Sequence, residues 1–256
     1  MPHCLLSAAS AGDTRPLIPE TFRGAGMPHH RMASGPLPTL PAGTGLFDND
    51  GTERLRVTGR VWLPGTPHAL PCPLLTALDT LPAGEMRLHT RKKGRSLAWI
   101  TLSDKGSRGL RDDASGPAIA TAVGDVLPLC HAQGFLLPDD APSLRALLLE
   151  LALGQNYDLI CTSGGTGVGP RDVTPQAVAP LLDSELPGFA TAMMLESLKK
   201  TPHAAISRAV CGIIGQSLVI TLPGSRKAVL ENLAAVLPAL PHALDKLHGD
   251  PADCGG

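Results

Sequence analysis

The densest chemistry in the chain is the run Thr162-Ser163-Gly164-Gly165-Thr166-Gly167-Val168-Gly169-Pro170-Arg171-Asp172. Glycines let backbone N–H groups approach an oxyanion closely, hydroxyls add donors, and Arg171 adds charge. Such a run is an anion cradle or an ordinary glycine-rich turn. It is neither a Gly-Lys-Ser/Thr phosphate loop nor a G-x-G-x-x-G dinucleotide loop. Two acids stand where strands should end, Asp139 after Leu136-Leu137-Pro138 and Asp172 after the glycines. On one sheet edge they can share a divalent metal bound to a polyphosphate, or each can cap a helix. Ser103-Asp104 and Asp112-Asp113-Ala114-Ser115-Gly116 are polar loops on the same expected edge and read as solvated. Pro223-Gly224-Ser225 is a second phosphate seat or a turn capped by Ser225. Pro187-Gly188-Phe189 and Met193-Met194 read as core or subunit contact rather than a cofactor pocket.

Positioning these groups takes strands alternating with helices, and from Ser96 onward the sequence has that texture, the signature of a mostly parallel sheet covered on both faces. Strands are expected at Leu97–Leu102, Gly134–Leu137 and Tyr157–Cys161, with a pair at Ser207–Ile213 and Leu218–Leu222. Helices are expected from Ser115 to about Cys130, from Asp140 to about Gly154, from Ser225 to Leu237 and from Pro241 to Leu247. Thr174-Pro175 offers an N-cap hydroxyl and a first-turn proline, so the order is strand, glycine loop, helix.

Upstream the texture changes. Residues 1–50 are dense in Pro, Gly, Ser and Ala without a period and read as a disordered extension. Residues 51–95 show two β-like runs, Leu55–Leu63 and Glu85–Thr90, around a proline-rich stretch from Pro64 to Pro73, and read as a small β appendage. Residues 96–248 form the main domain and 249–256 a flexible tail.

The balance of 22 basic and 23 acidic residues supplies no field for a polyanion, and aromatic residues at 3% leave little for stacking on bases, so nucleic acid is not expected. The basic run Arg91, Lys92, Lys93, Arg95 reads as a solvated strand end. The six cysteines show no C-x-x-C spacing, which suits a reducing compartment, and Cys161 and Cys211 sit in apolar runs as small hydrophobes. No stretch approaches the ~20 apolar residues of a membrane span, and no metal-ligand histidine motif occurs. The expectation is a cytoplasmic protein without a membrane segment.

Taken together the motifs resemble the molybdopterin-binding domain of molybdenum-cofactor synthesis, the domain of molybdopterin adenylyltransferases and of gephyrin. The resemblance runs from about Leu97 to Leu247. It rests on Thr101-Leu102-Ser103-Asp104, Asp112 to Gly116, Leu137-Pro138-Asp139, Thr162 to Gly167, Pro170-Arg171-Asp172-Val173-Thr174-Pro175, Ser207-Arg208 and Leu222-Pro223-Gly224-Ser225. It implies a three-layer Rossmann-like α/β fold, usually a homotrimer, and a nucleotidyltransferase that moves AMP from ATP to the phosphate of molybdopterin with Mg2+, releasing pyrophosphate. It implies Asp139 and Asp172 as the acidic pair serving Mg-ATP, and Gly164, Gly165, Thr166 and Gly167 as the phosphate cradle. Ser103, Asp104 and Ser225 are implied as pocket walls, with Thr162, Ser163, Arg171, Ser207 and Gly224 completing the binding set. A molybdenum insertase is the implied protein partner. A non-catalytic molybdopterin carrier of the same fold is the alternative reading, and retention of both Asp139 and Asp172 argues against it. The first 95 residues lie outside the resemblance and read as a docking arm, a regulatory flap or a degraded module.

Overall fold

The computed structural model describes residues 3–22, 28–32, 37–65 and 67–251. The chain divides into two compact units, Met1–Gly94 and Arg95–Gly256. The first carries β1 (His3–Leu6), β2 (Thr14–Ile18), β3 (His30–Met32), β4 (Gly45–Phe47), β5 (Glu53–Leu63), β6 (Leu70–Ala77), β7 (Gly84–Arg87) and β8 (His89–Arg91). They form one sheet in the order β7-β1-β3-β2-β6-β5-β4-β8. The described residues of 1–50 are therefore not a disordered extension, and those of 51–95 are not a separate appendage, because strands from both stretches share this sheet. They also share a core in which Leu6, Leu17, Leu46, Leu55, Leu75 and Leu88 are buried. A composition averaged over fifty residues dilutes the few apolar side chains that strands of three to five residues turn inward.

The proline-rich stretch misleads for a related reason. Pro71 and Pro73 stand within β6, where a missing N–H would break a ladder on a side that has a partner. They pair with Trp62 and Arg60 of β5, while β2 pairs only with Leu74, Leu75 and Thr76, so the proline half of β6 needs donors toward one neighbour alone.

The second unit runs β9 (Arg95–Leu102), α1 (Asp104–Ser107), α2 (Ser115–Gly124), β10 (Leu129–Leu137), α3 (Ala141–Leu149), β11 (Leu159–Ser163), α4 (Thr174–Val178), β12 (Ser184–Glu185), α5 (Pro187–Leu198), β13 (Cys211–Ile214), β14 (Ser217–Leu222), α6 (Arg226–Val236) and α7 (Leu240–Leu247). The sheet order is β10-β9-β11-β14-β13-β12; the first four strands are parallel and the last two antiparallel. The α/β class and the mostly parallel sheet match the expectation. Leu97, Cys161 and Ile220 of the sheet pack with Ile119, Leu233 and Leu244 of α2, α6 and α7. Cys161 and Cys211 are buried, and burial pushes the Cys211 thiol up to about 12, as fits small hydrophobes.

Boundaries differ in instructive places. The helix from Ser115 stops at Gly124, and Cys130 already belongs to β10. The strand expected at Ser207 begins at Cys211, because Ser207 ends a short 3-10 turn over Pro202–Ile206. Of the expected tail, residues 252–256 lie outside the described residues. Among the described residues no helix is long and apolar enough to cross a membrane.

At the amino end of the sheet a buried carboxylate fixes β9 against β11. Asp158 accepts from the Ser96 backbone N–H at 2.5 Å and from the Ser96 hydroxyl at 2.9 Å, and the Asp158 N–H donates to the Ser96 Oγ at 3.1 Å. His248 Nε2 lies 3.5 Å away. Removing an acceptor with charge-assisted bonds leaves buried donors unpaired, so Asp158→Ala should lower unfolding free energy by about 2–3 kcal/mol in urea titration. The cleft lies at the opposite ends of these strands, so ligand affinity in the folded fraction should be unchanged.

Candidate functional site

Leaving the carboxyl end of β9, the chain reaches β10 on one side, while β11 lies on the other, so the order reverses between β9 and β11. Open α/β sheets place ligands at such a point. A cleft of about 480 Å³ lies there, lined by the ends of β9 and β10 and by the segments that follow β11 and β14. Ser103, Asp139, Gly164, Gly165, Asp172, Gly224 and Ser225 all face it. Seven residues from five separate stretches of sequence are thus brought to one cavity.

The glycines are there because the backbone needs them. Gly164 has φ +102 and Gly165 φ +64, in the left-handed region that other residues rarely adopt. A Cβ on Gly164 would sit 2.7 Å from the Leu102 carbonyl oxygen, and one on Gly165 would sit 2.6 Å from the Thr174 hydroxyl. That hydroxyl does not cap α4. It donates to the Gly164 carbonyl at 2.7 Å, and Val173 takes the cap position without a side-chain bond.

Capping is separated from the acidic pair. Asp140 accepts from the Ser143 N–H at 2.9 Å and caps α3, which leaves Asp139 free of that task. The Asp172 carboxylate accepts from the Gly169 N–H at 2.7 Å, closing its own loop rather than a helix. Asp104 joins them: its Oδ1 accepts from the Asp139 N–H at 3.1 Å, and its Oδ2 pairs with Arg171. Arg171 is thereby engaged by a carboxylate rather than free in the cradle. Asp139 is held above the usual carboxylate range by desolvation first and by the charges of Asp104 and Asp172, against the Asp104 N–H bond and Arg171.

Other expected site residues lie elsewhere. Thr162 is fully buried within β11, and the Ser163 hydroxyl donates to the Pro223 carbonyl at 3.1 Å; neither residue lines the cavities described here. Thr166, Gly167 and Ser207 line a second cavity of about 270 Å³. Met193, buried in the core as expected, and Met194 also line it, with Glu231, Asn232 and His203 among its polar residues. Ser103 caps α1 by accepting from the Gly106 N–H at 3.0 Å, and Ser225 caps α6 by accepting from the Ala228 N–H at 3.3 Å.

Three features escaped the sequence reading. Asp113 is not a solvated loop residue: it accepts from the Thr101 hydroxyl at 2.9 Å and from the Ser115 and Gly116 N–H groups at 3.0 and 2.9 Å, seating α2 against β9. Arg111 and Arg226 line the cleft and add positive charge to it; only their neighbourhood to Asp112 and Ser225 could have signalled them. Arg208 braces the glycine loop from behind, through contacts that no local spacing reveals.

Comparison with known proteins agrees with this geometry. A family model described as a probable molybdopterin binding domain matches residues 98–242, more than half of the chain. Gephyrin of Dictyostelium discoideum is 40% identical over 179 residues, covering 64% of this chain and 25% of that protein. A molybdopterin adenylyltransferase of Helicobacter pylori is 37% identical over 154 residues, covering 59% of this chain and 86% of that protein. The chain thus spans about a quarter of the gephyrin it matches. A solved structure of the molybdopterin biosynthesis enzyme MoaB from Thermus thermophilus shares 45% identity at a TM-score of 0.57, over 62% of this chain and 99% of that one. On motif, fold and similarity alike, the chain belongs to the molybdopterin-binding domain family.

Proposed function

We propose that this protein adenylylates molybdopterin, joining AMP from ATP to the pterin phosphate and releasing pyrophosphate, as a step of molybdenum-cofactor biosynthesis. The observation that carries the reading is that one glycine loop walls two cavities: Gly164 and Gly165 face the charged cleft, Thr166 and Gly167 the methionine-lined one. A transfer reaction needs two bound partners held side by side, and orienting them supplies much of the rate. The charged cleft suits a triphosphate, with Arg111 and Arg226 available to its oxygens; the second cavity suits a planar heterocycle, with Glu231 and Asn232 to read its polar edge.

The acceptor oxygen of a phosphate monoester is already anionic at neutral pH, so no general base is required. It attacks the α-phosphorus, the bond to the β-phosphate oxygen breaks, and the electron pair leaves with pyrophosphate. Among the described residues no group of three or more His, Cys, Asp or Glu side chains could hold a metal by itself. Mg2+ binds nucleotides through one or two carboxylates plus phosphate oxygens, and the crowding of Asp139 by Asp104 and Asp172 is relieved by a cation. Asp139 and Asp172 would hold Mg2+, which when bound neutralises charge on the triphosphate. Backbone N–H groups of the loop and the two arginines do the same without it.

The same proposal comprises a three-layer Rossmann-like arrangement, assembly as a homotrimer, a cytoplasmic location and a molybdenum insertase as partner. The gephyrin and bifunctional cofactor-biosynthesis relatives support the last of these. The test is to incubate the protein with molybdopterin, ATP and Mg2+ and to follow adenylylated pterin and pyrophosphate by mass spectrometry. Both products, dependent on ATP, are expected; tight pterin binding with no product would replace the enzyme by a carrier.

A further inference from the structure

Arg208 stands between Ser207 and Ala209, which line the methionine-lined cavity, and its bonds reach Thr166 and Gly167 of that cavity as well as Asp172 of the charged cleft. Its backbone N–H donates to the Thr166 carbonyl at 2.9 Å. Its Nε donates to the Gly167 carbonyl and its Nη2 to the Asp172 carbonyl, both at 2.7 Å. The two side-chain bonds grip the two ends of the loop from Gly167 to Asp172. Inside that loop the Asp172 carboxylate bonds the Gly169 N–H, and the Asp172 N–H bonds the Gly169 carbonyl at 3.0 Å. Val168 at the tip of the loop is exposed, and the Arg171–Asp104 pair is the loop's other side-chain tie to a distant element among the described residues.

We infer that Arg208 is a positioning residue that sets the Asp172 carboxylate in the charged cleft, its guanidinium tying Asp172 to Gly167 of the second cavity. This rests on the adenylyl-transfer reading above. A guanidinium bonds two carbonyls at once in a fixed fork, whereas an ammonium is a point charge on a flexible stem, so lysine should not substitute. A displacement of about 1 Å at a reacting centre can cost about a hundredfold in rate.

The experiment uses the full chain with Arg208→Lys and Arg208→Gln, each checked for cooperative unfolding. Two readouts are taken. In hydrogen–deuterium exchange, which needs no ligand, amides 167–173 of both variants should exchange at least about tenfold faster than in the unaltered protein, while β9 and β14 stay protected. In the transfer assay, kcat should fall at least about tenfold and the Mg2+ concentration for half-maximal rate should rise by a larger factor than the KM for molybdopterin. A general loosening of the fold would instead raise both substrates' KM values. Unchanged exchange in the loop, full activity of Arg208→Lys, or failure of both variants to fold would each overturn the inference. Absence of product from the unaltered protein sinks the adenylyl-transfer reading instead, and the exchange result still decides whether Arg208 sets the loop.

Discussion

Gly164→Ala should leave a protein that has lost about 2–5 kcal/mol of stability and, where still folded, transfers adenylyl groups at least about a hundredfold more slowly. Two independent penalties combine. The residue sits at φ +102, which an alanine adopts only under strain, and its Cβ would lie 2.7 Å from the Leu102 carbonyl oxygen. That neighbour is backbone at the end of β9, not the end of a flexible side chain. Gly164 itself cannot slide away, because its N–H donates to the Leu222 carbonyl at 3.1 Å and its carbonyl accepts from Thr174. Relief would have to come from spreading β9 and β14 at the point where they meet the cleft. Gly188→Ala is the matched control: it lies in the first turn of α5 with nothing within 4 Å of the added Cβ, so it should be neutral or stabilising by up to about 1 kcal/mol. Urea unfolding and steady-state rates on both variants decide the matter; a Gly164→Ala protein as stable and active as Gly188→Ala would show that the turn tolerates a side chain.

Contiguity explains which features the sequence made legible. The glycine loop, Asp139 and Gly224-Ser225 are each carried by a short run, and a parallel sheet brings the ends of such runs to one edge without further information. Roles set by distant partners were not legible. Arg208 reaches residues 36 and 41 positions away, and Asp104 pairs with Arg171 across 67. Thr174 satisfied every local rule for a helix cap, yet its hydroxyl is drawn to the Gly164 carbonyl, a buried acceptor that would otherwise go unpaired. Thr162 and Ser163 have the right chemistry for an anion cradle but fall on the last residues of a strand buried on both faces. In the first unit β1 to β4, of three to five residues, are too short for a period to emerge, and their buried side chains join a core only within the shared eight-stranded sheet.

Asp139→Asn is expected to reduce transfer at least about a hundredfold while leaving the fold, at neutral pH, as stable as before or more so. The two halves follow from one fact. The Asp139 carboxyl is held above the usual range by desolvation, with the negative charges of Asp104 and Asp172 adding to it and the Asp104 N–H and Arg171 opposing. A carboxyl raised in the folded state favours folding below its unfolded pKa, and that contribution is lost as pH rises through the folded value. At neutral pH the ionised group therefore works against the fold, and a neutral amide removes the conflict. The proposed transfer has the opposite need, since only an ionised carboxylate would serve a cation and orient the nucleotide. The acid limb of the pH–rate profile should thus lie higher than for an ordinary carboxylate and move down as Mg2+ is raised, because a bound cation favours the charged form. The variant should lack that Mg2+-dependent shift. Urea unfolding at neutral pH beside rates across the acid range separates the alternatives: loss of both stability and activity would make Asp139 a structural residue, and full activity would remove it from the site. On the proposed reading, the stability given up at Asp139 is what a site receiving a cation and a polyphosphate requires, and the Mg2+-dependent shift is the measurement that ties the two together.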